Sequence, residues 1–136
     1  VGSADGRFLL VADYSAGLQR LNIASGEVDQ LGVPPGVTTL GMDGLVQLPN
    51  GSFAATQNGI HPNRVVLMKL SRDWTRVQSF HVAARGGADL ADISLLVPDG
   101  NDVLVSGVSQ WSSFDDSSGD PARPVQPWRI VRVTLR

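Results

Sequence analysis

The chain has 136 residues, 42% hydrophobic and 18% charged, with a formal net charge of −2. This composition suits one globular domain and not a disordered segment, and no apolar run approaches the roughly 20 residues that span a bilayer. The basic residues are scattered, which removes the footprint of a nucleic-acid binder, and the lack of cysteine excludes disulfides, thiolate catalysis and Cys-ligated zinc.

No charged segment followed by an apolar stretch opens the chain, so no signal peptide is expected; a mature secreted protein would have lost one. The first structural signal is Asp5-Gly6, a turn dipeptide that leads into an apolar run at 8–12. A second strand is predicted at 18–23, and Ser25-Gly26 turns the chain into a third at 27–31. A new set begins at 44–48, closes on Pro49, turns at Asn50-Gly51 and continues at 53–56. Strands at 64–70 and 76–82 complete it. The last set runs from 93–97 through Pro98 and Asp99-Gly100 to 103–106, and ends in an alternating segment at 128–135. Each Pro is expected to end its strand, because it cannot donate to a ladder. The Asp-Gly and Asn-Gly pairs are expected to form type I′ hairpins, with positive φ at both central residues.

The three X-Gly turns lie 45 and 49 residues apart. Short antiparallel strands repeating at that period point to an all-β fold, a β-propeller fragment of about three four-stranded blades. Sandwiches and small barrels do not demand this period. With strands lettered A to D from the axis outward, residues 1–37 read B-C-D, 38–86 read A-B-C-D and 87–136 read A-B-C. A polar insertion at 112–126 carries Asp115, Asp116 and Asp120; it is expected to be a loose loop or a lid over the channel, and its spacing matches no EF-hand. Three blades do not close a ring. The expected completion is a missing N-terminal half of the propeller or a second copy of the chain.

Several polar side chains stand where strands end. Gln57 and Asn58 close the second strand of the middle blade, and Gln110 and Trp111 take the equivalent place in the last one. The amides after the middle strand suit a hydroxylated substrate, or the segment Gln57-Asn58-Gly59 is a tight turn with Asn58 or Gly59 at positive φ, and Trp111 suits a cover over a pocket or packing between blades. His61 is either a solvated loop residue or a proton shuttle. Trp74 and His81 read as structural. No G-x-S-x-G elbow or P-loop is present.

The segments Leu9-Leu10-Val11-Ala12-Asp13-Tyr14, Met42-Asp43-Gly44-Leu45, Ala55-Thr56-Gln57-Asn58-Gly59 and Asn63-Arg64-Val65-Val66 resemble blades of the senescence-marker-protein/gluconolactonase/luciferin-regenerating-enzyme-like family of six-bladed propellers. Trp128-Arg129-Ile130-Val131-Arg132-Val133 resembles the closing strand of its bacterial members, so the likeness spans nearly the whole chain. It implies the C-terminal half of a six-bladed ring, a divalent cation (most often Ca²⁺) in the central channel, and hydrolysis of a lactone or small ester. It carries over one metal ligand, Asp43, which can also serve as a general base. The alternatives are a non-catalytic propeller that binds a ligand or protein, and a half-propeller that assembles with a partner chain. For Asp43 itself, the alternative is a carboxylate accepting backbone N–H groups in the turn to Gly44.

Overall fold

The computed structural model of the protein describes residues 1–110 and 127–135. Strands β1 (Phe8–Asp13), β2 (Gly17–Asn22) and β3 (Val28–Gln30) form a first antiparallel sheet. Strands β4 (Met42–Gln47), β5 (Phe53–Gln57), β6 (Arg64–Leu70) and β7 (Val77–Arg85) form a second. The third contains β8 (Leu96–Asp99), β9 (Asp102–Ser106) and β10 (Ile130–Val133). Every sheet is a meander in chain order, and sheets of three, four and three strands are those of a partial β-propeller. Among the described residues the one helical element is a 3-10 turn, Ala88–Leu90, and no helix is long and apolar enough to cross a membrane.

The burial pattern explains why the sheets stack. All five residues of β5 are buried, so the strand is covered on both faces. Side chains alternate across a strand. Phe53 and Ala55 therefore join Leu10, Leu18, Met42 and Met68 in one core against the first sheet. Ala54, with Val65 on β6, joins Ile93, Leu96, Val103 and Val105 in a second core against the third sheet. The middle sheet is shared by both cores. The outer faces of the end sheets carry exposed apolar side chains: Leu9 and Val11 on β1, and Leu95, Val97 and Ile130 on or beside the third sheet. Around Leu95, Val97, Leu104, Trp128 and Ile130 lies an apolar groove of about 570 Å³.

The turns differ from the sequence expectation. Among the described residues, none of the three X-Gly turns has the two positive φ values that a type I′ hairpin requires; only Gly6, Gly51 and Gly100 are left-handed, at 69°, 81° and 63°. At Pro49-Asn50-Gly51 the Gly51 amide donates to Leu48 O at 2.9 Å, with Pro49 at the position where its fixed φ favours a type I turn. Pro98 does not end its strand. It sits inside β8 opposite Val103, on the edge strand, where no neighbour beyond β8 calls for its missing N–H. Strand A of the first sheet is also not wholly absent. The Val1 amine donates to Leu10 O at 2.9 Å, and Gly2 bridges Leu9 on the free side of β1.

Between β6 and β7 the chain turns through Trp74, whose φ of 55° is unusual for a bulky residue. Packing compensates: its ring meets Phe53 edge-on at 5.4 Å and lies against the first core. Beside it, the Asp73 carboxylate accepts hydrogen bonds from the Thr75 amide and hydroxyl, at 3.3 and 2.9 Å. Hydrogen bonding within this turn, from Ser71 and then from Thr75, lowers the Asp73 pKa to about 2.

Two outcomes follow. Phe53→Ala removes the largest fully buried side chain among the described residues and should cost about 3–5 kcal/mol in chemical denaturation. The Asp73 carboxyl should titrate in the folded protein at about 2, against 3.8 when unfolded, as read by side-chain NMR. Because the folded value is depressed, its support of the turn is complete above the unfolded value and disappears as pH falls through the folded one.

Candidate functional site

The inner strand of the middle sheet opens with an irregularity. The β4–β5 register pairs Met42 with Gln57 and then resumes at Leu45 with Ala55, leaving Asp43 and Gly44 out of step. Glycine is required there: a Cβ on Gly44 would lie 2.5 Å from the Leu96 side chain and 2.9 Å from Thr56 Oγ1. Thr56, fully buried on β5, repairs the broken ladder. Its hydroxyl accepts the Gly44 N–H at 2.8 Å and donates to the Ser94 carbonyl. One hydroxyl thus fixes the bulge and ties it to the chain entering the third sheet.

The bulge turns the Asp43 side chain to the surface, where it is exposed. Its Oδ2 accepts hydrogen bonds from the Ser94 hydroxyl at 2.9 Å and from the Asn58 amide at 3.2 Å. Neither donor is a backbone amide. Ser94 precedes β8 and Asn58 follows β5, so the carboxylate sits where the inner edges of two sheets meet. Among the described residues, no group of three His, Cys, Asp or Glu side chains gathers around it or elsewhere.

The other polar positions divide. Gln57 is fully buried: its amide nitrogen donates to the carbonyls of Thr38 and Leu40, at 3.0 and 2.5 Å, and its oxygen accepts Arg64 Nε at 2.7 Å. It serves the fold and does not line a surface. The Arg64 guanidinium also lies over the Phe80 ring, 5.4 Å from its centroid, and burial lowers its pKa. Asn58 and His61 come together in a cleft of about 390 Å³ with Tyr14, Asn63, Ala91 and Asp92. His61 is exposed. Gln110 stands at a left-handed φ of 57° beyond β9. Trp111 and the insertion 112–126 lie outside the described residues.

The cleft has an ordered wall. Three successive carbonyls of the segment entering the third sheet are held in turn: Ala91 by Asn63 Nδ2 at 2.7 Å, Asp92 by the Ser109 amide at 2.9 Å, and Ile93 by Asn58 Nδ2 at 2.8 Å. Both asparagines spend their amide nitrogens this way, and the Oδ1 atoms of both are buried without a partner. Tyr14 reaches the cleft past a close glycine contact, since a Cβ on Gly59 would lie 2.9 Å from its phenol and 2.5 Å from Gly41 Cα. Thr56, Asn63, Ser94 and Asp92 were not singled out by their types. Only the pairing of β4 with β5 and the packing of β4 beside β8 bring them to this place.

No protein-family model matches the chain, and no curated protein matches it.

Thr56→Val keeps the shape of the side chain and removes the bridging hydroxyl. The Gly44 N–H and Ser94 C=O then lose their partner, at a cost of about 1–3 kcal/mol per buried group. Thermal denaturation should show the loss, and the Asp43 side-chain signal should move in NMR spectra as the bulge relaxes.

Proposed function

We propose that this chain is part of a gluconolactonase-like six-bladed propeller and that Asp43 faces its central channel as a ligand to a divalent cation, Ca²⁺ by preference, in hydrolysis of a lactone or small ester. The observation that carries this reading is the state of the Asp43 carboxylate. It is exposed, it accepts no backbone N–H among the described residues, and one of its oxygens is oriented by the Ser94 hydroxyl and the Asn58 amide. A carboxylate that served only its own turn would accept local backbone amides, as Asp13 does from Ser15 and Ala16 at 2.9 and 2.7 Å.

The fit to a cation is that of one ligand. Oδ1 is a hard oxygen with no hydrogen bond among the described residues, and hard oxygens suit Ca²⁺ or Mg²⁺. The remaining ligands would come from neutral oxygens or from the polypeptide that completes the ring, a missing N-terminal half or a second copy. When bound, such a cation polarises a carbonyl and lowers the pKa of a bound water. Ser94 and Asn58 orient the carboxylate, and on this reading Asp43 would also receive a proton from an attacking water as general base. A second reading, a propeller that binds a small ligand without transforming it, is favoured by the adjacent cleft of about 390 Å³ lined by Tyr14, Asn58, His61 and Asp92.

The test is Asp43→Asn in the complete protein. Calcium affinity by calorimetry and hydrolysis of a sugar lactone by pH-stat should both fall, hydrolysis by roughly 10²-fold or more. Unchanged calcium affinity in a folded variant would remove Asp43 from the site. Calcium binding that depends on Asp43, with no hydrolysis of any lactone tried, would favour the binding reading.

A further inference from the structure

The two end sheets each leave one apolar face bare, and the two faces are of opposite kind. Side chains alternate along a strand. In β5, Phe53 and Ala55 face the sheet that precedes it in the chain, and Ala54 faces the sheet that follows. In β1, Leu10 faces the following sheet. Leu9 and Val11 therefore face the side of a preceding sheet, and they are 36 and 40% exposed. In β9, Val103 and Val105 face the preceding sheet, so Leu104 faces the side of a following one. Pairing widens both faces. Leu9 lies opposite Leu21 and Leu21 opposite Val28, an apolar row across the whole first sheet. Val97 lies opposite Leu104, and with Trp128 and Ile130 these side chains line the groove of about 570 Å³. Val97 and Ile130 are 55 and 60% exposed. Apolar side chains gathered on one face mark an interaction surface, where scattered ones would not.

We propose that the third sheet of one copy of this chain packs on the first sheet of a second copy, and that two copies close head to tail into a ring of six sheets. Both contacts inside the molecule join the following-side face of one sheet to the preceding-side face of the next. The end faces are the two unused halves of that same contact, so a second copy supplies what each lacks. A contact between unlike faces gives a ring when its rotation closes. Propellers close with about four to eight blades. With three sheets in each copy, two copies are the one multiple in that range. The inference rests on the six-bladed ring of the proposed function, with the second copy as its completing half, and not on the cation or the hydrolysis. Mass reads the ring, and calcium affinity reads Asp43.

The experiment is analytical ultracentrifugation of the 136-residue chain over a dilution series, with NMR spectra recorded over the same series. The expected result is a species of twice the chain mass that dissociates on dilution, with amide shifts on both end faces, at Leu9 and Val11 and at Val97 and Leu104. Val11→Lys and Val97→Glu, both at exposed positions, should each weaken the dimer by about 10²-fold or more, the effect of a charge left unpaired inside an apolar contact. An equal mixture of the two variants should recover dimer, because one of its two contacts is then native and the other carries charges of opposite sign. A monomer at every concentration, a trimer or an open-ended series, a dimer weakened by only one of the variants, or no recovery in the mixture would each overturn the proposal. If a variant fails to fold, the dilution shifts of the unaltered chain decide, and shifts confined to one end sheet overturn it as well.

Discussion

A β-strand has two faces and therefore at most two neighbours to bury them against, and β5 uses both. Phe53 and Ala55 point to one sheet, Ala54 to the other. That parity is the constraint on which the rest of the molecule depends. It makes the middle sheet common to both cores, so the start of β4 must lie beside the chain entering the third sheet. Only then can Thr56 join Gly44 to Ser94 and place Asp43 on the rim. A slip of one residue in β5 would exchange the two faces and dismantle both cores together with the site.

Small residues make this closeness possible. Gly44 admits the Leu96 side chain, and Gly41 and Gly59 pass at a separation that leaves no room for a methyl group on either. Gly41 also takes a φ of 68°, and its carbonyl receives the amides of both Asn58 and Gly59 at 3.0 Å. The loop bearing Asn58 and His61 is thus fastened at its root by backbone groups. Its side chains are left for other work, which here means clasping the carbonyls of residues 91 and 93.

Much of the architecture is legible in the chain because strand periodicity and turn dipeptides are local signals. The sets of three, four and three strands follow from the spacing of Asp5-Gly6, Asn50-Gly51 and Asp99-Gly100. Turn type is less legible. Pro49 at the second position already argued for a type I turn, a cue weaker than the Asn-Gly pair beside it. The site is less legible still. Gln57 and Asn58 are neighbours of similar chemistry, and only register tells that one faces the interior and the other the rim. Thr56 and Asn63 act on groups 38 and 28 residues away, a separation over which sequence pattern carries no information. Asp43 stood out through its likeness to a known blade, while its partners Ser94 and Asn58 follow from packing.

The two cores also determine how the molecule can come apart. Each joins one end sheet to the middle one, and among the described residues no apolar cluster joins the ends directly. Stability is then a sum of two nearest-neighbour couplings, as in a linear array of repeats. The first and third sheets can each loosen while the other coupling stays intact, whereas loss of the middle sheet forfeits both. Opening therefore has an order, from the ends inward, and the backbone of β5 belongs to the last part of the molecule to meet solvent. The rim that carries Asp43 and Asp92 lies on the seam between the second and third sheets, so it depends on the second coupling directly, while Met42 in the first core and the Gly41 amide on Tyr14 O tie its root to the first.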